Sequence, residues 1–534
     1  MNEKRQKTEN GRQKTEENWE YSGTLRDKRV SVIGFGRSGK ACVELLVKMG
    51  ANVFVSEIDK RLSVSGNWLS QTENRPSNPD FEFGKHSDRI YEAGLIVISP
   101  GISMQHPVVR EAKKRGIPVI GEIELGYRLS VIGCRKPNTA DRRPQIIGVT
   151  GTNGKTTTCY LIQHLLESSG INAIACGNMG LPMSSVVSSN KSETLVVEIS
   201  TFQLESIESF RPFIGVLLNI TPDHLDRHKD FAEYRDLKFR MFSNQLPDDF
   251  AVLNFDDPAI RNQISNPKSQ TTGQGTCCYP CTGTKSQIPN SKSQIPNNRS
   301  GDLLLPVYPN SKSQIPKLRS QKLFFSLSEP ATVWLKEGDI FYGENKLCSI
   351  RELNIEWDCL LQNYLASIVV GKILKLSDSQ IVNGLRTFKG VPHRLEEVGM
   401  INGIRFVNNS MCTNPAAFAS TLNSCKTPVI LIVGGKKKNV DITPIVETIN
   451  NKARYVVLIG ETSEELNKLV KVNRSIASSM DEAVVIAYNE ASEGDKVLLL
   501  PGFASFDWFK DFSDRGNKFK DAVNRLSIKM KAER

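Results

Sequence analysis

Short apolar runs alternate with amphipathic stretches along most of the chain, and this pattern constrains the fold more than any other feature. "VSVIG" (30–34), "NVFVSE" (52–57) and "LIVISPG" (95–101) make a first set. "IIGVT", "TLVVEIS" and "IGVLLNI" make a second, and "IRFVN", "VILIVGG", "YVVLIG" and "KVLLLPG" a third. Between runs lie helix-period segments such as "GKACVELLVKMG" and "TTTCYLIQHLLESSG". Near-continuous apolar strands separated by helices predict parallel sheets covered on both faces. Three sets predict an α/β chain of three domains, breaking near residues 120 and 390. The expected division is a tail (1–26), a Rossmann-like domain (27–120), a central P-loop-type domain with a parallel sheet (121–390), and a second Rossmann-like domain (391–534).

Two segments stand outside the pattern. The tail repeats "RQKTE" at Arg5 and Arg12 and has no apolar period, so disorder is expected. Residues 265–320 repeat "KSQIP" at Lys285, Lys292 and Lys312, which reads as a low-complexity surface insertion. That stretch holds seven Lys/Arg against Asp302 alone, so it supplies much of the net charge of +11 and weakens any nucleic-acid reading. Cysteines inside apolar runs (Cys42, Cys159, Cys359) look like buried thiols of a reducing compartment. "CCYPC" at Cys277, Cys278 and Cys281 lacks a nearby fourth zinc ligand and is read as structural filler. No apolar run reaches the ~18–20 residues of a membrane span. The N-terminus has no apolar signal core, so a cytoplasmic protein without membrane insertion is expected.

Two glycine-rich turns carry chemistry. "GFGRSG" (Gly34, Gly36, Gly39) follows a strand and opens a helix, the context of a dinucleotide or pyrophosphate turn; a ligand-free βα turn is its bland counterpart. Glu57 ends the next strand, where an acid reading a ribose or base would sit. "GVTGTNGKTTT" (148–158) departs from the common P-loop, because Val149 stands where the first glycine is usual. Its backbone from Gly151 to Thr156 still suits phosphates, with Lys155 for the outer phosphates and Thr156 for Mg²⁺. Glu198 and Glu205, and Asp223, His224, Asp226 and His228, follow strands of the same set and are expected at its ligand edge. Lys238, on a helical stretch, reads from the residues alone as an exposed lysine.

These pieces occur in one order with "GNMGLP", "EISTFQLE", "NITPDHLDRH", "LKFRMF", "GVPHRLE", "VGGKKKNVD" and "FASFDWFKDFSDRGNKF". Together they resemble the Mur ligases, ATP-dependent amino-acid ligases of peptidoglycan synthesis. "STFQLE" and "FKDFSDRGNKF" look most like the branch that adds D-glutamate to UDP-N-acetylmuramoyl-L-alanine. The resemblance implies that Gly34, Gly36, Arg37, Ser38, Glu57, Ser99, Pro100 and Gly101 surround the UDP-sugar. It implies ATP on Gly151, Thr152, Asn153, Gly154, Lys155, Thr156 and Thr157, with Asn363, Arg394 and Asn409 completing the nucleotide site. Two Mg²⁺ ions would be held by Thr156, Glu198, His224 and a Lys238 carbamylated by CO₂. Asn178 and His224 would face the reacting substrate, making Lys155, Lys238, His224 and Asn178 the catalytic set. Thr413, Lys438, Ser505 and Phe512 would receive D-glutamate, in a chain expected to act as a monomer.

The chain departs from the family pattern at "NNSMCTN" (408–414) and "QNYLA" (362–366). Asn409 stands where Asp is usual, Met411 where Lys is usual, and Ala366 where a second Asn is usual. A neutral amide bonds a ribose hydroxyl more weakly than an ion does, so nucleotide affinity and amino-acid choice are where these changes act. Competing expectations are a sister ligase adding another amino acid such as L-glutamate, a P-loop hydrolase, a nicotinamide dehydrogenase resting on "GFGRSG" alone, and a non-catalytic UDP-sugar binder.

Overall fold

The computed structural model describes residues 25–60, 78–132, 144–189, 194–223, 227–265, 318–353, 355, 357–425, 429–437 and 441–532. The tail repeat, nearly all of the 265–320 insertion with its CCYPC cluster, and His224, Asp226 and Lys438 lie outside the described residues.

Three separate sheets form. The first contains β1 (Arg29–Ile33), β2 (Asn52–Glu57), β3 (Asp80–Phe83), β4 (Leu95–Ile98) and β5 (Val119–Gly121), all parallel, in the order β3-β2-β1-β4-β5. The central sheet begins with β6 (Gln145–Thr150), β7 (Ala173–Gly177), β8 (Thr194–Glu198) and β9 (Ile214–Leu217), and continues with β10 (Phe250–Asn254) and β11 (Gln321–Ser326). It ends in β12 (Val333–Lys336), β13 (Asp339–Tyr342) and β14 (Asn345–Ser349), in the order β14-β13-β12-β11-β10-β9-β6-β8-β7. The last three were not expected from the sequence: β13 pairs antiparallel with both neighbours, so this sheet is parallel only from β12 to β7. The third sheet holds β15 (Glu396–Ile401), β16 (Ile404–Asn408), β17 (Val429–Gly434), β18 (Ala453–Ile459), β19 (Asn473–Ile476) and β20 (Lys496–Leu499), in the order β15-β16-β20-β17-β18-β19 with only β15 antiparallel.

Burial explains why the apolar runs became strands. All of Val429–Gly434 is buried, as is all of Thr194–Glu198. Such strands need cover on both faces. The helix Lys155–Ser168 supplies it over β6 to β8, presenting Leu161, Ile162, Leu165 and Leu166, each fully buried. Its outer side is covered by Leu361–Ile373 and Asp378–Thr387. Each such leucine or isoleucine stabilises the fold by about 1.5–3 kcal/mol relative to exposure.

Strand order positions the site. β6 lies between β8 and β9, and β1 between β2 and β4, so the chain leaves each in opposite directions. A crevice opens at such a reversal beyond the carboxyl ends of the strands, where α/β proteins bind ligands. The two glycine-rich turns follow these two central strands.

Candidate active site

The turn after β6 is held from three sides. Gly154 takes φ +86°, a left-handed conformation that favours glycine. A Cβ there would fall 2.4 Å from Asn363 Oδ1, so Asn363 lies directly on the loop. Asn219, just past β9, accepts from the Asn153 amide (2.8 Å) and donates to the Asn153 carbonyl (3.1 Å). The Thr152 hydroxyl is within 3.1 Å of both the Thr221 carbonyl and the Tyr234 hydroxyl. Lys155 Nζ donates to the carbonyls of Gly151 and Thr152, 2.8 Å each. Burial lowers its pKa, with Glu198 and Asp223 opposing the shift.

Glu198, at the end of β8, joins two of the expected residues. Thr156 Oγ1 donates to its Oε2 at 2.8 Å, and Asn178 Nδ2 donates to its Oε1 at 2.9 Å. Lys238 sits on the helix Phe231–Phe239, which is capped by the Asp230 side chain accepting from the Glu233 amide. The reading of Lys238 as an exposed helix lysine is corrected: it is 1% exposed. Its Nζ stands 4.5 Å from the centroid of the Tyr234 ring. Burial, with the Lys155 charge adding to it, pulls Lys238 well below the usual lysine range; Asp223 opposes this. An amine in that environment is a better nucleophile and a poorer cation than a surface lysine.

Other candidates of the second set have structural partners. Glu205 pairs with Arg227 (3.3 Å), and buried His228 bonds Thr201 Oγ1 (3.0 Å) beside the Tyr234 ring. Among the described residues no three His, Cys, Asp or Glu side chains gather as a metal cluster.

The first sheet brings Gly34, Gly36, Arg37 and Ser38 beside the loop Ser99–Gly101. Ser99 Oγ donates to the Gly34 carbonyl at 3.1 Å. Glu57 uses both carboxylate oxygens on backbone, accepting from Phe35 N (2.6 Å) and Asp59 N (2.9 Å), so it shapes the turn. Gly36 caps the helix Arg37–Lys48, an N-terminus that favours anions. Arg37 donates across to the Asn178 carbonyl at 2.9 Å, and Arg227 to the Gly101 carbonyl at 3.4 Å. The first sheet's turns are thus bonded to the central site.

The third sheet contributes from its own carboxyl edge. Asn409, Met411 and Thr413 follow β16, Ser505 follows β20, and Phe512 opens the helix Phe512–Ala532. Arg394 precedes β15; its charge adds to the lowering of the Lys155 pKa, and its Nη1 lies 4.0 Å from Met411 Sδ. The Arg394 Nε is buried without a hydrogen-bond partner among the described residues. A cavity of about 140 Å³ separates Thr156 and Tyr160 from His393, Met411 and Phe512.

The geometry therefore collects Lys155, Thr156, Glu198, Asn178, Lys238, Asn363 and Arg394 around one loop. Asn219 and Tyr234 were missed by the sequence reading. Only Asn219 carried a signal, as a polar residue directly behind an apolar strand. Such an edge, with a phosphate loop, buried lysines and hard oxygen donors, suits transfer of a phosphoryl group.

Comparison with known proteins accords with this chemistry. Residues 28–121 match the family model for the Mur ligase MurD-like N-terminal domain, 149–296 the Mur ligase middle domain, and 393–503 the Mur ligase glutamate ligase domain. The UDP-N-acetylmuramoylalanine--D-glutamate ligase of Caldanaerobacter subterraneus subsp. tengcongensis is 34% identical, covering 94% of this chain and 99% of its own. The protein of the same name from Pelotomaculum thermopropionicum is 35% identical, covering 94% and 98%. Among solved structures, the UDP-N-acetylmuramate-alanine ligase of Thermotoga maritima shares the fold with a TM-score of 0.54 at 15% identity, over 93% of this chain and 100% of its own. With relatives above 30% identity over nearly the full length of both chains, this chain belongs to the Mur ligase family.

Proposed function

We propose that the chain is an ATP-dependent ligase that joins D-glutamate to UDP-N-acetylmuramoyl-L-alanine in peptidoglycan precursor synthesis. One observation carries this: full-length similarity to D-glutamate ligases coincides with an intact Thr156–Glu198–Asn178 hydrogen-bonded set at the phosphate loop. The division into a UDP-sugar unit (27–120), an ATP unit (121–390) and an acceptor unit (391–534) is part of the same reading. So is a cytoplasmic monomer, where ATP and a UDP-sugar are available together; among the described residues no helix is long and apolar enough to cross a membrane.

A carboxylate is a poor acyl donor because oxide is a poor leaving group. In the proposed reaction the alanine carboxylate oxygen attacks the γ-phosphorus of ATP and ADP leaves. The glutamate amine then attacks the resulting acyl phosphate, a tetrahedral intermediate collapses, and phosphate leaves with the N–H proton passing to solvent. Lys155 releases its two loop carbonyls and turns to the phosphates. Asn178 orients Glu198, and Arg394 brings a second cation from the third sheet.

Mg²⁺ fits the donor set, since the Thr156 hydroxyl and Glu198 carboxylate are hard oxygen ligands. When bound, Mg²⁺ would neutralise phosphate charge there, with His224 and Lys238 as further ligands. As an ammonium, Lys238 would repel a metal. As a neutral amine it attacks CO₂; the C–N bond forms, a proton leaves to solvent, and a carboxylate-like group remains. In this reading Asn178 and His224 would face the acyl donor, and Lys438, Thr413, Ser505 and Phe512 would receive the amino acid. Gly34, Gly36, Arg37, Ser38 and Ser99–Gly101 take the UDP-sugar, and Asn363 and Asn409 the nucleoside of ATP.

The test is phosphate release with ATP and UDP-N-acetylmuramoyl-L-alanine, adding D-glutamate, L-glutamate or no amino acid. Release that depends on D-glutamate supports the reading. Equal release without an amino acid would sink it in favour of a hydrolase, and dependence on L-glutamate would replace it with a sister ligase.

A further inference from the structure

The side chain of Arg515 is fully buried, and it is among the largest fully buried side chains of the described residues. It lies in the first turn of the last helix, three residues after Phe512. Among the described residues no carboxylate hydrogen-bonds its guanidinium. Its Nε donates to Ser410 Oγ (3.0 Å), Nη1 to the carbonyls of Phe503 (3.1 Å) and Ala504 (3.2 Å), and Nη2 to those of Ser410 (2.9 Å) and Phe503 (3.1 Å). A guanidinium has five N–H donors, and these contacts occupy all of them. None remains for a substrate. Burial lowers its pKa to about 10, so the cation persists at neutral pH.

The acceptors belong to two separate loops. Ser410 follows β16, within the stretch that also carries Asn409, Met411 and Thr413. Phe503 and Ala504 follow β20 and run directly into Ser505. Ser410 Oγ, which accepts from Arg515, also donates to the Phe512 carbonyl at 2.7 Å. A relay thus runs from Arg515 through Ser410 to Phe512. β16 and β20 are paired along their length, but these loops lie beyond the last ladder pair, Asn408 with Leu499. Beyond the ladder the two loops are joined by the Gly502 amide donating to the Cys412 carbonyl (3.1 Å) and by the Arg515 guanidinium.

We propose that Arg515, acting through Ser410, is a positioning residue that fixes Thr413, Ser505 and Phe512 in the geometry that accepts the incoming amino acid. This rests on the acceptor role assigned above to those residues. It adds a specificity device that touches no substrate. Buried charge-assisted hydrogen bonds are directional, and the planar fork cannot be replaced by an ammonium of equal charge.

The experiment is steady-state kinetics of Arg515→Lys and Ser410→Ala, with each of the three substrates varied in turn. Arg515→Lys keeps the charge and loses the fork. Ser410→Ala leaves Arg515 in place and cuts the relay, which covers the case in which Arg515→Lys fails to fold. The expected result is a KM for D-glutamate raised about 10-fold or more, with those for ATP and the UDP-sugar changed less than about twofold, and weaker discrimination between D- and L-glutamate. An unchanged amino-acid KM in folded Ser410→Ala, or equal losses for all three substrates, would overturn the proposal. If the wild-type enzyme accepts another amino acid instead, the D-glutamate reading fails; the clamp is then judged by the same KM split with that amino acid.

Discussion

Burial holds the Lys238 amine without its proton to lower pH than an exposed lysine, and two consequences follow. The first concerns chemistry. Lys238→Ala should lose activity by about 100-fold or more if the carbamate helps hold metal, and bicarbonate or short carboxylates should restore part of it; full activity in the variant would remove that role. The second concerns stability. The folded pKa is depressed, so between that value and the ordinary lysine value the unfolded chain binds more protons, and stability rises with pH. In CO₂-free buffer Lys238→Met should therefore melt higher than wild type at neutral pH, and the gap should shrink as pH climbs toward 10. A gap that widens with pH would contradict the burial argument. Gly516 carries a steric prediction at the same scale, because a Cβ there would lie 2.2 Å from His393 Nδ1. Gly516→Ala should cost about 1–3 kcal/mol by overpacking, measured by denaturant unfolding.

At the scale of elements, the central helix and its cover offer the clearest check. Leu165 is fully buried and meets Asp378–Thr387 at Gly384, so Leu165→Ala should cost about 2–5 kcal/mol in thermal or chemical unfolding. The same element shows why parts of the fold were legible in the sequence. Leu161, Ile162, Leu165 and Leu166 repeat at a helical period, and strands such as "VILIVGG" are apolar throughout because both faces are covered. The β12–β14 hairpins were missed: their burial is mixed, with Lys336, Tyr342, Asn345 and Lys346 exposed, so no continuous apolar run marks them. Lys238 was misread for a related reason. Its helix also exposes Ala232 and Glu233, and no local pattern tells which lysine meets a tyrosine ring and a second lysine inside. Arg515 was equally hidden, since its partners at Ser410 are 105 residues away. The phosphate loop needed no such distant information, because strand, turn and helix are contiguous.

Across the whole molecule, the first and third sheets meet the central one in different ways. The first is fastened by hydrogen bonds from Arg37 to the Asn178 carbonyl and from Arg227 to the Gly101 carbonyl. The third faces the phosphate loop across a cavity, with Arg394 and Lys155 as like charges whose proximity disfavours approach. A triphosphate placed between them reverses the sign of that interaction, so nucleotide should draw the third sheet inward. By X-ray scattering, the wild-type radius of gyration should fall when a non-hydrolysable ATP analogue is added. In Arg394→Ala the analogue should produce little contraction. That variant should also show an ATP KM raised about 10-fold or more, the scale of a lost charge-assisted contact. High salt should weaken the contraction only slightly if the bridge is buried, and strongly if it is solvent-exposed. The Nε of Arg394, buried and without a hydrogen-bond partner among the described residues, argues for the buried case. Contraction of full size in Arg394→Ala would mean that groups other than Arg394 drive closure.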